Sequence, residues 1–242
     1  MNNFSKLWND ITGNLVFVLE FLGIIILMFL IAIIFDRIAK KKTDDRSKFF
    51  SVKNTVIVGV LSAVATVLFL LDFPVPFAPP FYKMDFGDLP ALLGGFSLGP
   101  IAGVTIEFLK VLLKLLIKGT STAFVGDFAN FVTSCSLVLP AAILYHFRKT
   151  RKNALLSCIV GTLTITVFGT AFNAFYLLPA FAKLYGMSLE KIIAMGTEIN
   201  PAINNIATFV IFAVAPLNLI KGFADSLVTF FIYKPLRRAM KL

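Results

Sequence analysis

The chain carries very little with which to do covalent chemistry. Its 242 residues include one histidine, His146, and two cysteines, Cys135 and Cys158. Both cysteines lie inside apolar runs with no second ligand nearby, which excludes a disulfide framework and a metal site from the reading. The sequence contains no nucleophile elbow, no paired carboxylates in one place and no GxxxxGK[ST] to cradle a phosphate. If ATP drives a step, its hydrolysis must come from another chain. Evenly spaced intramembrane charges for a proton relay are missing as well, so no catalytic residue, metal or cofactor is assigned and an enzyme is not expected. A cleavable signal peptide is not expected either. The first apolar run, Leu15 to Phe35, has spanning length and ends in Asp36-Arg37 and Lys40-Lys41-Lys42 where a small-residue cleavage site would be needed.

What the chain does have is apolar surface. With 58% hydrophobic residues, 27 phenylalanines and a mean hydropathy of +0.87, it belongs in a bilayer. A membrane chain of this kind is read as all-α. The net charge of +10 would raise the question of nucleic acid in a soluble protein, so its placement matters more than its sum. Fifteen of the 23 Lys and Arg fall in three short segments: seven in 37–53, four in 148–152 and four in 234–241. No aromatic or Gly-rich recognition element accompanies them, which argues against nucleic acid. By the positive-inside rule these segments are cytoplasmic.

That rule sets a path of seven spanning segments, with the N-terminus outside and the C-terminus in the cytoplasm. Residues 1–36 hold a first helix with Trp8 as an interfacial anchor, 37–53 a basic linker, and 54–242 one compact bundle. Thr55 to Leu71 rises with Gly59 and Ala63 four apart. Two readings stand for this pair: a face for close helix approach, or incidental small residues. The loop from Asp72 to Gly87 mixes four prolines with Phe73, Phe77, Phe81, Tyr82 and Phe86. It suits a stiff aromatic cover over a planar ligand, and it equally suits an interfacial belt. Asp88-Leu89-Pro90 reads as a helix start capped by Asp88, and Gly99-Pro100 as a turn. On 101–117, Glu107 and Lys110 are spaced to pair, or else Glu107 faces inward, while Lys114 and Lys118 snorkel outward. His146 is expected at the interface. A short amphipathic helix is expected over 188–195, and 201–214 is either a surface helix or the top of a last span kinked at Pro216.

The most informative stretch is Pro216 to Asp225, which places Asn218, Lys221 and Asp225 inside an apolar segment. Ionisable groups at membrane depth cost roughly 2.5–3.5 kcal/mol or more, so they mark a site by default. Pro216 suits a first helical turn, with Asn218 and Lys221 on one face. Lys221 and Asp225, four apart, could also simply neutralise each other. Few polar groups among aromatics fit the capture of a flat small molecule with polar edges.

Several strings taken together resemble a known family: Leu70-Leu71-Asp72-Phe73-Pro74, Met84 to Ala91, Gly99-Pro100-Ile101-Ala102-Gly103, Ala129-Asn130-Phe131, Asn173 with Leu178-Pro179-Ala180, and Pro216 to Gly222. In order, over about 54–238, they resemble the riboflavin-specific substrate-binding (S) component of energy-coupling factor (ECF) vitamin transporters. The resemblance implies a six-helix S-component bundle in the cell membrane, here preceded by one extra transmembrane helix. It implies riboflavin as transported ligand, a coupling transmembrane protein and two ATPase subunits as partners, with FMN or another flavin or vitamin as the alternative cargo. By position, Asn173, Asn218 and Lys221 would bond the polar edge of the isoalloxazine. The ribityl chain would lie toward the loops that carry Asp85, Phe86, Gly126 and Asp127. Gly59 and Ala63 match the face offered to the coupling subunit. Three features depart from the pattern: the extra helix, which is either a plain anchor or a dock for an accessory protein, the length of 180–214, and Asp225 beside Lys221.

Overall fold

The computed structural model describes residues 15–43, 51–120 and 122–239, and Trp8 and most of the linker lie outside them. Helix α1 (Leu15–Thr43) continues through the first basic residues of the expected linker. The bundle then follows as six helical rods: α2 (Val52–Leu70), α3 (Asp88–Leu98), α4 (Pro100–Lys118), α5 (Val125–Phe147), α6 (Arg151–Phe172) continued through a π-turn at Asn173–Leu177 into α7 (Leu178–Tyr185), and α9 (Ile206–Phe209) continued through a π-turn at Val210–Val214 into α10 (Ala215–Ala239). A short α8 (Leu189–Ile199), capped by the Ser188 hydroxyl, bridges the last two rods. Five of the helical runs among the described residues are long and apolar enough to cross a membrane. The other two rods fail for opposite reasons: α3 has only 11 residues, and α4 carries Glu107 and three lysines.

The brevity of α3 follows from its burial. Most of its surface, from Asp88 to Ser97, is enclosed by α2, α4, α5 and α10, as expected of a helix apolar all round. It ends at Gly99, whose φ of 117° favours glycine, and Pro100 opens α4 at a position where its missing N–H costs nothing. Phe96 on α3 stacks on Tyr145 with ring centres 4.5 Å apart and meets Tyr233 edge-on at 5.8 Å. This cluster lies at the end where the basic segments gather: Lys42 sits over the Phe147 ring and Arg151 over Phe230. His146, expected at an interface, is buried there with its Nε2 unpartnered.

At the opposite end a second apolar cluster joins the aromatic loop to α7, α8 and α9 through Tyr82, Phe181, Ile192, Ile203 and Phe209. A two-residue antiparallel ladder, β1 (Phe73–Pro74) with β2 (Lys83–Met84), ties the base of that loop. The region 180–214 is therefore a helical crown, and 206–214 forms the top of the last span. Pro216 lies within a continuous rod and starts nothing. Helix α1 packs on α4 and α5, where Phe21 meets Phe128 edge-on at 5.2 Å and Phe29 meets Phe108 at 6.1 Å. Its other face, including Leu19, Leu22, Ile26 and Leu30, is exposed.

Candidate functional site

A chamber opens at the crown end, beneath the aromatic loop. Its walls bring together Asn173, Asn218, Lys221, Asp85 and Gly126, five of the seven binding residues expected from sequence, with Phe81, Tyr82, Asn130 and Thr133 beside them. The other two lie elsewhere. Phe86 packs against Phe73 with ring centres 6.3 Å apart. Asp127 is buried in the first turn of α5 and holds Lys114 in an ion pair, so Lys114 does not snorkel.

Each wall residue has a structural reason for its position. Asn173 sits at the π-turn of the sixth-to-seventh helix run, where the extra residue per turn shifts the register at a place often used for function. Both ends of its amide are anchored: Nδ2 donates to the Gly169 carbonyl at 2.8 Å, and Oδ1 accepts from the Tyr82 hydroxyl at 2.7 Å, which leaves one N–H and one lone pair over. Asn218 projects from α10 toward α6, into space that exists because residue 169 is glycine. A Cβ there would lie 2.7 Å from Asn218 Nδ2. That Nδ2 is buried and has no hydrogen-bond partner, as does the buried Oδ1 of Asn130. Unpaired polar atoms of this kind are costly unless a ligand or water meets them.

Lys221 forms the floor, and its pairing differs from the sequence expectation. Its ammonium lies 2.9 Å from Asp85 Oδ2 and 3.1 Å from Asp88 Oδ2. Asp225 takes no part in these bonds, and both its oxygens are buried without a partner. The spacing of four on one helix was outcompeted by carboxylates reaching in from α3 and the loop before it. Asp88 likewise does not cap its helix, since Gly87 holds the cap position. Its second oxygen instead receives Lys110 at 2.7 Å and the Ser134 hydroxyl at 2.8 Å. Lys110 also reaches Glu107 at 2.6 Å, the pairing that the spacing of three suggested. Two ammoniums and the carboxylates of Asp85, Asp88 and Glu107 thus clasp α3, α4, α5 and α10 directly below the chamber. An ammonium has three protons to donate. Lys221 donates one to Asp85 Oδ2 and faces Asp88 Oδ2 as a charge without a hydrogen bond, which leaves its remaining protons uncommitted on the chamber wall.

Two residues that matter here, Gly169 and Tyr82, had no separate role in the reading of the chain. Gly169 stands four residues before Asn173, but its importance appears only once α6 packs on α10. Tyr82 carries the only hydroxyl among the loop aromatics, and a buried phenol needs a partner. As latched by Tyr82 the chamber measures about 150 Å³, below the roughly 300 Å³ at which sites for drug-sized ligands begin.

The geometry can be set beside known proteins. Residues 53–233 match the family described as ECF transporter, substrate-specific component. The chain is 31% identical to the riboflavin transporter RibU of Staphylococcus aureus over 189 residues, which is 78% of this chain and 93% of that one. It is 32% identical to the riboflavin transporter FmnP of Bacillus subtilis, over 77% of this chain and 93% of that one. A solved structure, described as the S component of a bacterial ECF transporter, superposes with a TM-score of 0.60 at 32% identity, covering 78% of this chain and 97% of that one. Helix α1 precedes the matched residues.

Proposed function

Because the chain belongs to the substrate-specific components of ECF transporters, we propose that it captures riboflavin at the outer face of the cell membrane and delivers it to a separate ATP-hydrolysing module. The observation that carries the reading is the convergence of Asn173, Asn218 and Lys221 on one chamber roofed by Phe81 and Tyr82. The edge of an isoalloxazine alternates carbonyl oxygens and ring nitrogens, and amides both donate and accept. The Asn218 Nδ2, which has no partner, and an uncommitted proton of Lys221 are donors for the carbonyls. The ribityl hydroxyls would extend toward Gly126, Asn130 and Thr133, with Asp85 as acceptor.

The placement of the charges favours riboflavin over FMN. Apart from Lys221, the only cation on the chamber wall among the described residues is Lys83, and its ammonium is already engaged by Asp72 at 3.1 Å. A phosphate would find no uncommitted cation on this wall. The gathering of basic segments at the far end supports a chamber that faces outward, an outside N-terminus and a cytoplasmic C-terminus. The coupling transmembrane protein, acting with two ATPase subunits, would dock on the α2 face where Gly59 and Ala63 are exposed. A Cβ on Gly59 would touch nothing within 4 Å. Helix α1 anchors the chain and offers its exposed face to an accessory membrane protein.

Titration of the detergent-solubilised protein with riboflavin tests the reading. Stoichiometric quenching of flavin fluorescence is expected, with FMN competing poorly. Absence of quenching by the folded protein would overturn it.

A further inference from the structure

Between α6 and α10, toward the basic end, lies a groove of about 240 Å³ that the transport reading does not use. Leu155, Ile159 and Leu163 form one bank, and Phe223, Leu227 and Phe230 the other. All but Phe230 are exposed at the surface. The polar atoms in the floor are satisfied among themselves: the hydroxyls of Thr162 and Ser226 are 3.0 Å apart, and Ser226 also donates to the Cys158 carbonyl at 3.3 Å. The trough is consequently dry and apolar along its length. From Leu155 to Leu163 it spans about 12 Å at the helical rise.

Its basic end is different. The Arg151 guanidinium lies 5.5 Å from the centre of the Phe230 ring, at the mouth of the trough. Lys152 is exposed beside it, and exposed Lys234 follows Phe230 by one turn on α10. An apolar trough closed at one end by cations has the shape of an amphiphile with a negative head. We propose that this groove is a binding site for an anionic phospholipid, with one acyl chain along the trough and the phosphate at Arg151 and Lys152. Basic pockets between transmembrane helices are suited to such headgroups. The concentration of charge at one end alone favours a lipid over a helix of a partner protein, which would need apolar contact along both ends of its footprint.

Native mass spectrometry of the full chain in detergent, with phosphatidylglycerol and phosphatidylcholine of matched acyl chains, tests this. The expected result is one retained phosphatidylglycerol and far less phosphatidylcholine. The double change Arg151→Gln with Lys152→Gln should lower phosphatidylglycerol retention roughly tenfold or more. Ile159→Trp, which fills the trough, should lower retention of both lipids. Equal retention of the two lipids, or retention indifferent to both sets of changes, overturns the proposal. So does an unselective groove that only the energising module protects, which would assign it to a partner helix. None of these residues lines the chamber, so riboflavin titration of the same variants should match the parent chain. That keeps a failure here distinct from a failure of the transport reading.

Discussion

At the scale of single residues, the chamber depends on groups behind its wall as much as on those that line it. Asn218→Ala removes a donor that has no internal partner, so it should weaken riboflavin binding about tenfold, worth roughly 1.5 kcal/mol, while leaving stability almost unchanged. Gly169→Ala should weaken it comparably, because the new methyl would lie 2.7 Å from Asn218 Nδ2, too close for the amide to keep its place. Fluorescence quenching measures both, and a Gly169→Ala chain with parental affinity would show that Asn218 is placed by something else. Removing a carboxylate of the clasp acts differently. Asp88→Ala takes away the carboxylate that Lys110 and Lys221 share and leaves each with one buried partner, Glu107 and Asp85, so it should cost up to about 3–5 kcal/mol, read as a lower unfolding temperature. Burial pushes the Tyr82 phenol above its ordinary value. The folded phenol therefore holds its proton more tightly than the unfolded one, and its contribution is complete below a pH of about 10 and is lost only as pH rises beyond it. Loop closure, followed by the protection of amides in 72–87 relative to their intrinsic base-catalysed exchange, should accordingly be flat from neutral pH up to about 10. Tyr82→Phe should remove the latch and raise the association rate for flavin in stopped-flow quenching.

At the scale of elements, some features were legible in the sequence and others were not, for physical reasons. The apolar runs, the three basic segments and the Gly99-Pro100 break fixed most helices, because each signal is local. The short length of α3 was also readable. What escaped was whatever required two elements to meet. The Lys221–Asp225 spacing was correct for a pair, yet Asp85 and Asp88 from another rod took the ammonium. Asp88 looked like a cap because its sequence neighbours are those of a helix start, and no local rule could place Lys110 and Lys221 beside it. The π-turns at Asn173–Leu177 and Val210–Val214 have no composition signature, so 201–214 stayed ambiguous. The small-residue face of α2 was readable as a pattern, and in the structure it is exposed. Gly59→Leu combined with Ala63→Leu should leave riboflavin affinity intact and abolish uptake by cells expressing the energising module. A parental uptake rate would remove α2 from the coupling interface.

At the scale of the whole molecule, α1 is an addition to the matched bundle. It covers Phe128, Phe131 and Val132 on one side and offers aliphatic surface on the other. Lipid can replace a helix of this kind at little cost, since tails are as apolar as the side chains they would meet. A chain lacking residues 1–50 should therefore keep its flavin affinity and still co-purify ATPase subunits. Loss of either would make α1 part of the transport unit itself.

The clasp of Lys110 and Lys221 has a further mechanical consequence. It rivets four rods together at one depth, so the protein divides into a stiff stem below and a crown that hangs from it by loops and short helices. Sliding of rods within the stem would break several charged bonds at once, whereas the tip of the aromatic loop is tied to Asn173 by one phenol–amide bond, with Asp85 at the loop's base held by the clasp. Cargo arrival should therefore register as slowed hydrogen exchange in 72–87 and 178–214, with the stem silent, so any message passed onward to a motor subunit travels as reorientation of a rigid body.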